Sequence, residues 1–363
     1  MSSVALDVSS FAQTRQRRGL LALWLFGGSL AAAFLLAVGY GAVAIGPGQA
    51  IAILAAQIGI ELPWAFSRQQ EAVLLAIRLP RALVGILVGS ALAASGAALQ
   101  GLFRNPLADP ALIGVSTGAA LAAAAVIVLG GSLAAVAAYV PLSLLLPLAA
   151  FGGGLAATLI VYRIASRDGR TDVATMLLAG VAMNAMTAAG IGLMVFMSDD
   201  QQMRDLNYWL LGSLGGTTWD RLATGAPFIL LGALALPFFA RSLNALLLGE
   251  SEAGHLGFHV ERTKRAIVVL AALATGTAVA LTGVIGFVGL VVPHVVRITA
   301  GPDHRLLLPL SMLFGAALLL VADLFARTLV LPAELPIGIL TSCVGGPFFL
   351  WLLLRRRSRG SGW

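Results

Sequence analysis

Apolar runs of membrane-crossing length follow one another along almost the whole chain, and that pattern leaves room for little besides a helical bundle in a bilayer. A crossing helix needs about 20 mostly apolar residues. Ten candidates can be placed, at about 20–44, 80–101, 111–130, 142–163, 173–197, 222–240, 266–283, 286–299, 306–327 and 336–354. Lipid offers no hydrogen bonds to the backbone, so each crossing is predicted to be helical. The eighth run is short and carries Pro293, and only Gly283 and Gly286 signal a turn before it. Hydrophobic residues make up 59% of the chain and charged ones 11%, against roughly a quarter charged in a soluble domain. A water-soluble globule is excluded.

The formal charge of +7 invites a nucleic-acid reading, but the basic residues flank apolar runs instead of gathering into a groove-binding patch. They behave as a topology signal. With ten spans and a cytoplasmic N-terminus, one side receives seventeen: Arg15, Arg17, Arg18, Arg104, Arg163, Arg167, Arg170, Arg241, Arg262, Lys264, Arg265, Arg297, Arg305, Arg355, Arg356, Arg357 and Arg359. The other side receives six, Arg68, Arg78, Arg81, Arg204, Arg221 and Arg327. Both termini are therefore assigned to the cytoplasm. The first apolar stretch runs from Gly19 to about Ile45, longer than the roughly 7–15-residue core of a signal peptide, so it is read as an uncleaved span. The expected organisation is a cytoplasmic tail over 1–18, a transmembrane domain over 19–354 and a basic cytoplasmic tail over 355–363.

Small residues saturate the runs, with Gly85 and Gly89 in a G-x-x-x-G and Gly152 to Gly154 consecutive. Helices in lipid associate through close backbone packing, which favours a dense bundle. The single cysteine, Cys343, excludes an intrachain disulfide and is read as a small packing residue. No G-x-x-x-x-G-K-[ST] phosphate loop is present, and Lys264 is the one lysine; ATP hydrolysis by that mechanism is not available to this chain. His255, His259, His294 and His304 all fall on the cytoplasmic half without a third ligand nearby, so no metal site is expected.

Several long motifs occur in one order: "RLPRALVGILVGSALAASGAALQGLFRNPLADPALIGVSTG" at 78–118, "GESEAGHLG" at 249–257, "GVIGFVGLVVPHVVR" at 283–297, "GPDHRLLLP" at 301–309 and "ADLFARTLVLPAELPIGILTSCVGGPFFLWLLL" at 322–354. In this the chain resembles the permease subunits of the bacterial ABC importers for vitamin B12, ferric siderophores and haem. The resemblance implies an all-α polytopic membrane protein of about ten transmembrane helices that pairs with a second copy of itself. It implies two ATP-binding subunits on the cytoplasmic side, holding ATP and Mg, and a periplasmic substrate-binding protein delivering cargo. No cofactor is expected in the chain itself.

The resemblance also assigns residues. The segment 241–265 reads as short amphipathic helices broken at two glycines, and Gly249, Glu250, Ala253, Leu256 and Gly257 match the ATPase-coupling pattern; without that match, a surface loop lying on the membrane interface fits equally well. Arg78, Arg81 and Arg327 match arginines that pair with glutamates on the binding protein, as exposed guanidiniums suit carboxylates. The plain reading is snorkelling at helix ends, and Arg327 also has Asp323 one turn earlier. Thr171 and Asp172 fall in the turn that forms the cytoplasmic gate, where either also suits a helix N-cap. Arg204 is placed at the mouth of the cargo path, attracting an anionic cargo such as haem; the plain reading is a local pair with Asp200 or Asp205. Haem or a related ferric chelate is the expected cargo, with siderophore and cobalamin as alternatives. An ion-coupled secondary transporter is the reading from another class; it needs acidic residues in mid-helix, and Asp323 is the one candidate. A structural scaffold leaves the amphipathic segment unexplained.

Overall fold

In the computed structural model, residues 8–130 and 142–358 are described. Helix α1 (Val8–Gly39) is followed by the short α2 (Pro47–Ala56) and the long α3 (Arg68–Leu102). Next come α4 (Val115–Leu129), α5 (Leu142–Ala165), a two-stranded hairpin of β1 (Ser166–Arg167) and β2 (Arg170–Thr171), and α6 (Val173–Met197). An outer helix α7 (Asp200–Leu210) precedes α8 (Trp219–Leu246), which tightens to a 3-10 turn at Leu236–Phe239. The short α9 (Glu250–His255) leads into α10 (Val260–Thr282), α11 (Val288–Ala300), α12 (His304–Ala326) and α13 (Ile337–Ser358).

Each of the ten apolar runs lies in a helix, but their lengths differ. Among the described residues, seven helices are long and apolar enough to cross a membrane. The runs at 111–130, 286–299 and 336–354 form shorter apolar helices. At 13 residues, α11 rises only about 20 Å, short of the ~30 Å hydrocarbon core. The turn expected at Gly283 and Gly286 separates Thr282 from Val288, with positive φ at Gly283 and Phe287.

Three boundaries depart from expectation. Helix α1 starts at Val8, inside the expected tail, and stops at Gly39 instead of 44. A separate helix, α2, then occupies part of the stretch between the first two expected spans. Helix α13 continues through the arginines of the expected basic tail to Ser358. Cys343 is exposed, not packed between helices.

The bundle is built around α3. In its most apolar stretch 78% of residues are buried, against 17% in α6, so α3 is the axis of the fold and α6 lies on its rim. Small residues make this possible. A Cβ on Gly89 would overlap the carbonyl oxygen of Gly315 in α12, and one on Gly96 would overlap that of Gly289 in α11. Backbones in van der Waals contact supply the attraction that lipid does not. At its outer end α3 widens into a π-helical stretch, Val73–Arg78, which disturbs the regular backbone ladder. The indole Nε1 of Trp219 donates to the carbonyl of Leu75 there at 2.8 Å.

Side-chain contacts gather the loops into two groups at opposite ends. At one, the hairpin and the starts of α9 and α10 meet around Lys264, Asn244 bonds His304, and Arg297 bonds Gln100 at 3.0 Å. At the other, Arg78 meets the end of α1, Arg81 meets Asp323 and Glu334, and Ser213 bonds Thr282. The first end carries the basic excess counted above.

Candidate functional site

The basic end holds the coupling and gate candidates. Gly249 takes φ +133° and Gly257 φ +86°, backbone conformations that side-chain-bearing residues avoid. They bracket α9, so the helix breaks expected at these two glycines are present. The short helix is pinned by Ala253, fully buried beneath it, while Leu248 and Leu256 stand 68% and 61% exposed. A surface carrying two protruding leucines suits an apolar groove better than water. Glu250 faces inward instead, its carboxylate 2.7 Å from Lys264 Nζ.

Thr171 and Asp172 divide the roles that the sequence left open between them. Asp172 is the N-cap of α6, accepting from the Thr175 amide at 2.8 Å and its hydroxyl at 2.5 Å. Those donors, the hydroxyl foremost, hold its carboxyl below the usual carboxylate range. Thr171 is buried in β2. Its amide donates to Glu261 at 2.9 Å, its carbonyl accepts from Lys264 at 2.8 Å, and its hydroxyl meets those of Ser166 and Tyr162. Thr171 therefore sits two bonds from α9, with Lys264 between them. Lys264 and Glu261, which make that connection, were not singled out as site residues. The available signal was that Lys264 is the one lysine in the chain.

At the opposite end, the exposed guanidiniums expected of Arg78, Arg81 and Arg327 are not found. Arg78 is 4% exposed and donates to the carbonyls of Val38 and Gly39 at 2.7 and 2.8 Å and to that of Val43. Arg327 donates to the carbonyl of Ala37. Both therefore cap the C-terminal end of α1, whose last carbonyls lack helical partners and which favours positive charge. This is why α1 ends at Gly39: the chain turns there around the Arg78 guanidinium. Arg81, 8% exposed, is clamped by Asp323 at 2.8 to 3.1 Å and by Glu334 at 2.9 and 3.0 Å. Asp323 also lies 3.9 Å from Arg327 Nε, so the pair suspected one turn apart exists, although Asp323 serves chiefly Arg81. Asp323 lies in the last turn of α12, not in mid-helix, and is committed to Arg81 and Arg327.

Arg204 is exposed on α7 and bonds Gln201 at 2.9 Å, not Asp200 or Asp205. It does not line the neighbouring cavity of about 560 Å³, whose polar lining includes Asp205, Tyr208, Ser213, Arg221 and Thr282. Arg221, counted above only as a topology charge, is the arginine among its lining residues.

Comparison with known proteins gives a consistent picture. The model of the FecCD transport family matches residues 29–355. The hemin transport system permease protein HmuU of Yersinia pestis is 50% identical over 288 residues, 79% of this chain and 84% of that protein. The cobalamin import system permease protein BtuC of Halobacterium salinarum is 46% identical over 283 residues, covering 78% and 73%. Among solved structures, an inward-facing metal-chelate type ABC transporter aligns with a TM-score of 0.79 at 29% identity, over 92% of this chain and 98% of that one.

Proposed function

The chain belongs to the FecCD transport family, and from that membership we propose that it is the permease of an ATP-driven importer carrying haem or a closely related iron chelate into the cytoplasm. The observation that carries the cargo assignment is the 50% identity to a hemin permease across 84% of that protein's length. Cobalamin is the second reading, favoured by the 46% identity to a cobalamin permease.

In this reading the basic end faces the cytoplasm, with both termini there, and the protein sits in the bacterial inner membrane. Positive charge at that end is what the positive-inside bias requires. Two copies pair so that the thinly covered α6 faces, where Leu178, Met186 and Phe196 are 72%, 68% and 87% exposed, border a central path. Two ATP-binding subunits supply nucleotide and Mg and grip α9 through Leu248 and Leu256. Their closure moves the turn at Thr171 and Asp172, and the paired bundle alternates between inward and outward openings. A binding protein delivers cargo at the other end. With Arg78, Arg81 and Arg327 buried, its carboxylates are drawn instead to the exposed rim carrying Arg68 and Arg204. Arg204 from the two copies, with Arg221 behind it, attracts the propionates of haem.

The test is ATP-dependent uptake in proteoliposomes holding the chain, its ATPase and its binding protein, offered haem, a ferric hydroxamate and cobalamin in parallel. Haem uptake weakened by Arg204→Ala or Arg221→Ala supports the reading. Cobalamin uptake without haem uptake replaces the cargo, and ATP-independent uptake driven by an ion gradient overturns the mechanism.

A further inference from the structure

The coupling helix and the gate turn are joined through one buried ammonium. Lys264 Nζ is 2.7 Å from Glu250 Oε2 in α9, 3.1 Å from Glu261 Oε1 in its own helix and 2.8 Å from the carbonyl oxygen of Thr171 in the hairpin. An ammonium has three protons to donate, and here each meets an acceptor on a different element. The side chain is 3% exposed, whereas its carboxylate partners are 41% and 31% exposed. Water reaches the rim of the cluster and is kept from its centre. Glu261 closes a ring, since its second oxygen accepts from the Thr171 amide at 2.9 Å. Thr171 is thus held through both its N–H and its C=O, and the next residue, Asp172, caps α6.

We propose that Lys264 is the positioning residue that transmits movement of the coupling helix to the gate. This rests on the importer reading above. A displacement of α9 acts on Glu250, and two bonds in series, 2.7 and 2.8 Å long, carry it to the Thr171 backbone and so to the N-terminus of α6. Short charge-assisted bonds resist stretching more than neutral ones. α6 is also a long helix with little surface buried within its own chain, so little packing inside the protomer opposes its motion. Lys264 touches neither cargo nor nucleotide in this scheme; its role is geometric.

The experiment measures haem taken up per ATP hydrolysed, in proteoliposomes of the complete transporter, for Lys264→Met, Lys264→Arg, Glu250→Gln and the double variant Lys264→Met/Glu250→Gln. The expected result is a tenfold or greater loss of uptake per ATP for Lys264→Met and partial recovery with Lys264→Arg. The double variant should be no worse than Lys264→Met, because both changes cut one chain of bonds. Unchanged uptake per ATP overturns the proposal, and so does a double variant whose loss is the product of the two single losses. Should Lys264→Met not fold, Glu250→Gln decides, since it removes one charge and keeps the side-chain shape. A second measurement does not depend on transport: spin labels at Arg167→Cys and Ser251→Cys in a Cys343→Ser background. Their distance distribution should broaden in Lys264→Met or Glu250→Gln; an unchanged distribution overturns the tether. Absence of ATP-driven uptake by the wild type, with the broadening present, would sink the importer reading and leave the tether standing.

Discussion

Asp323→Asn separates a buried charge clamp from an arginine awaiting a partner. The carboxylate is 2% exposed and receives Arg81 Nε at 3.0 and 3.1 Å and a terminal guanidinium nitrogen at 2.8 Å, with Arg327 Nε at 3.9 Å. Asparagine keeps the shape and one acceptor oxygen but removes the charge facing two guanidiniums. Breaking a buried pair costs about 3–5 kcal/mol. Glu334 keeps its two bonds to Arg81, and its side chain is 38% exposed. Partial compensation from there puts the expected cost near the lower end, about 3 kcal/mol, or roughly a hundredfold in the folding equilibrium. The assay is reversible unfolding in mixed micelles by SDS titration, with wild type and Arg81→Met alongside. Arg81→Met/Asp323→Leu should recover part of the loss, because it removes the Arg81–Asp323 pair together but leaves Arg327 without its carboxylate. If Asp323→Asn lies within about 0.5 kcal/mol of wild type, the range of ordinary surface changes, the clamp is not holding Arg81. The exposed-guanidinium reading would then return.

Gly96→Ala should destabilise by about 2–3 kcal/mol in the same assay, because the new methyl meets the Gly289 carbonyl; Gly152→Ala, with nothing within 4 Å, should be neutral or slightly stabilising. Asp172 has a depressed carboxyl pKa, so its cap contributes at any pH above the ordinary value near about 3.9 and is lost as pH falls through the lowered value. Rate-corrected amide exchange in the first turn of α6 should stay level from about pH 7 to 5, and protection lost in that window would contradict the cap. Single cysteines at Arg167 and Ser251 should react with an impermeant maleimide only from the cytoplasm and one at Arg204 only from outside, and the reverse would invert the topology. Hydrogen exchange should be slowest in α3 and α10 and fastest in the hairpin and α6, following burial; equal rates would deny the division into axis and rim.

Much of this fold was legible because lipid restricts the choices. Apolar run length gave the helices, and Gly283 gave the break before α11. The glycines flanking α9 could be read because each sits at a φ that only glycine adopts readily. Asp172 was legible as an N-cap candidate because capping is local chemistry. The arginines were misjudged for the opposite reason. Arg78 finds its acceptors about 40 residues upstream, and Arg81 finds Asp323 and Glu334 more than 240 residues downstream. No local pattern announces such pairings, so an arginine at a helix end looks exposed until its distant partners are placed. The same distance hid Lys264, whose bond to Thr171 spans 93 positions.

The two ends hold their charges differently, and that difference bears on which parts move. At the arginine end, Arg78 and Arg327 fasten α1 through carbonyl oxygens, and Arg81 fastens α3 to α12 through a carboxylate 2% exposed. Opening any of these contacts strands a buried charge, so α1, α3 and α12 behave as one block. At the Lys264 end the carboxylates are 41% and 31% exposed. Those carboxylates can adjust against water while the ammonium, 3% exposed, keeps its bonds, so the cluster can shift as a unit without stranding its charge. The thinly buried α6 starts from that softer end. A bundle built this way concentrates rigidity where α1, α3 and α12 meet and leaves α6 thinly held, at the end where the importer proposed above would receive its partner's force.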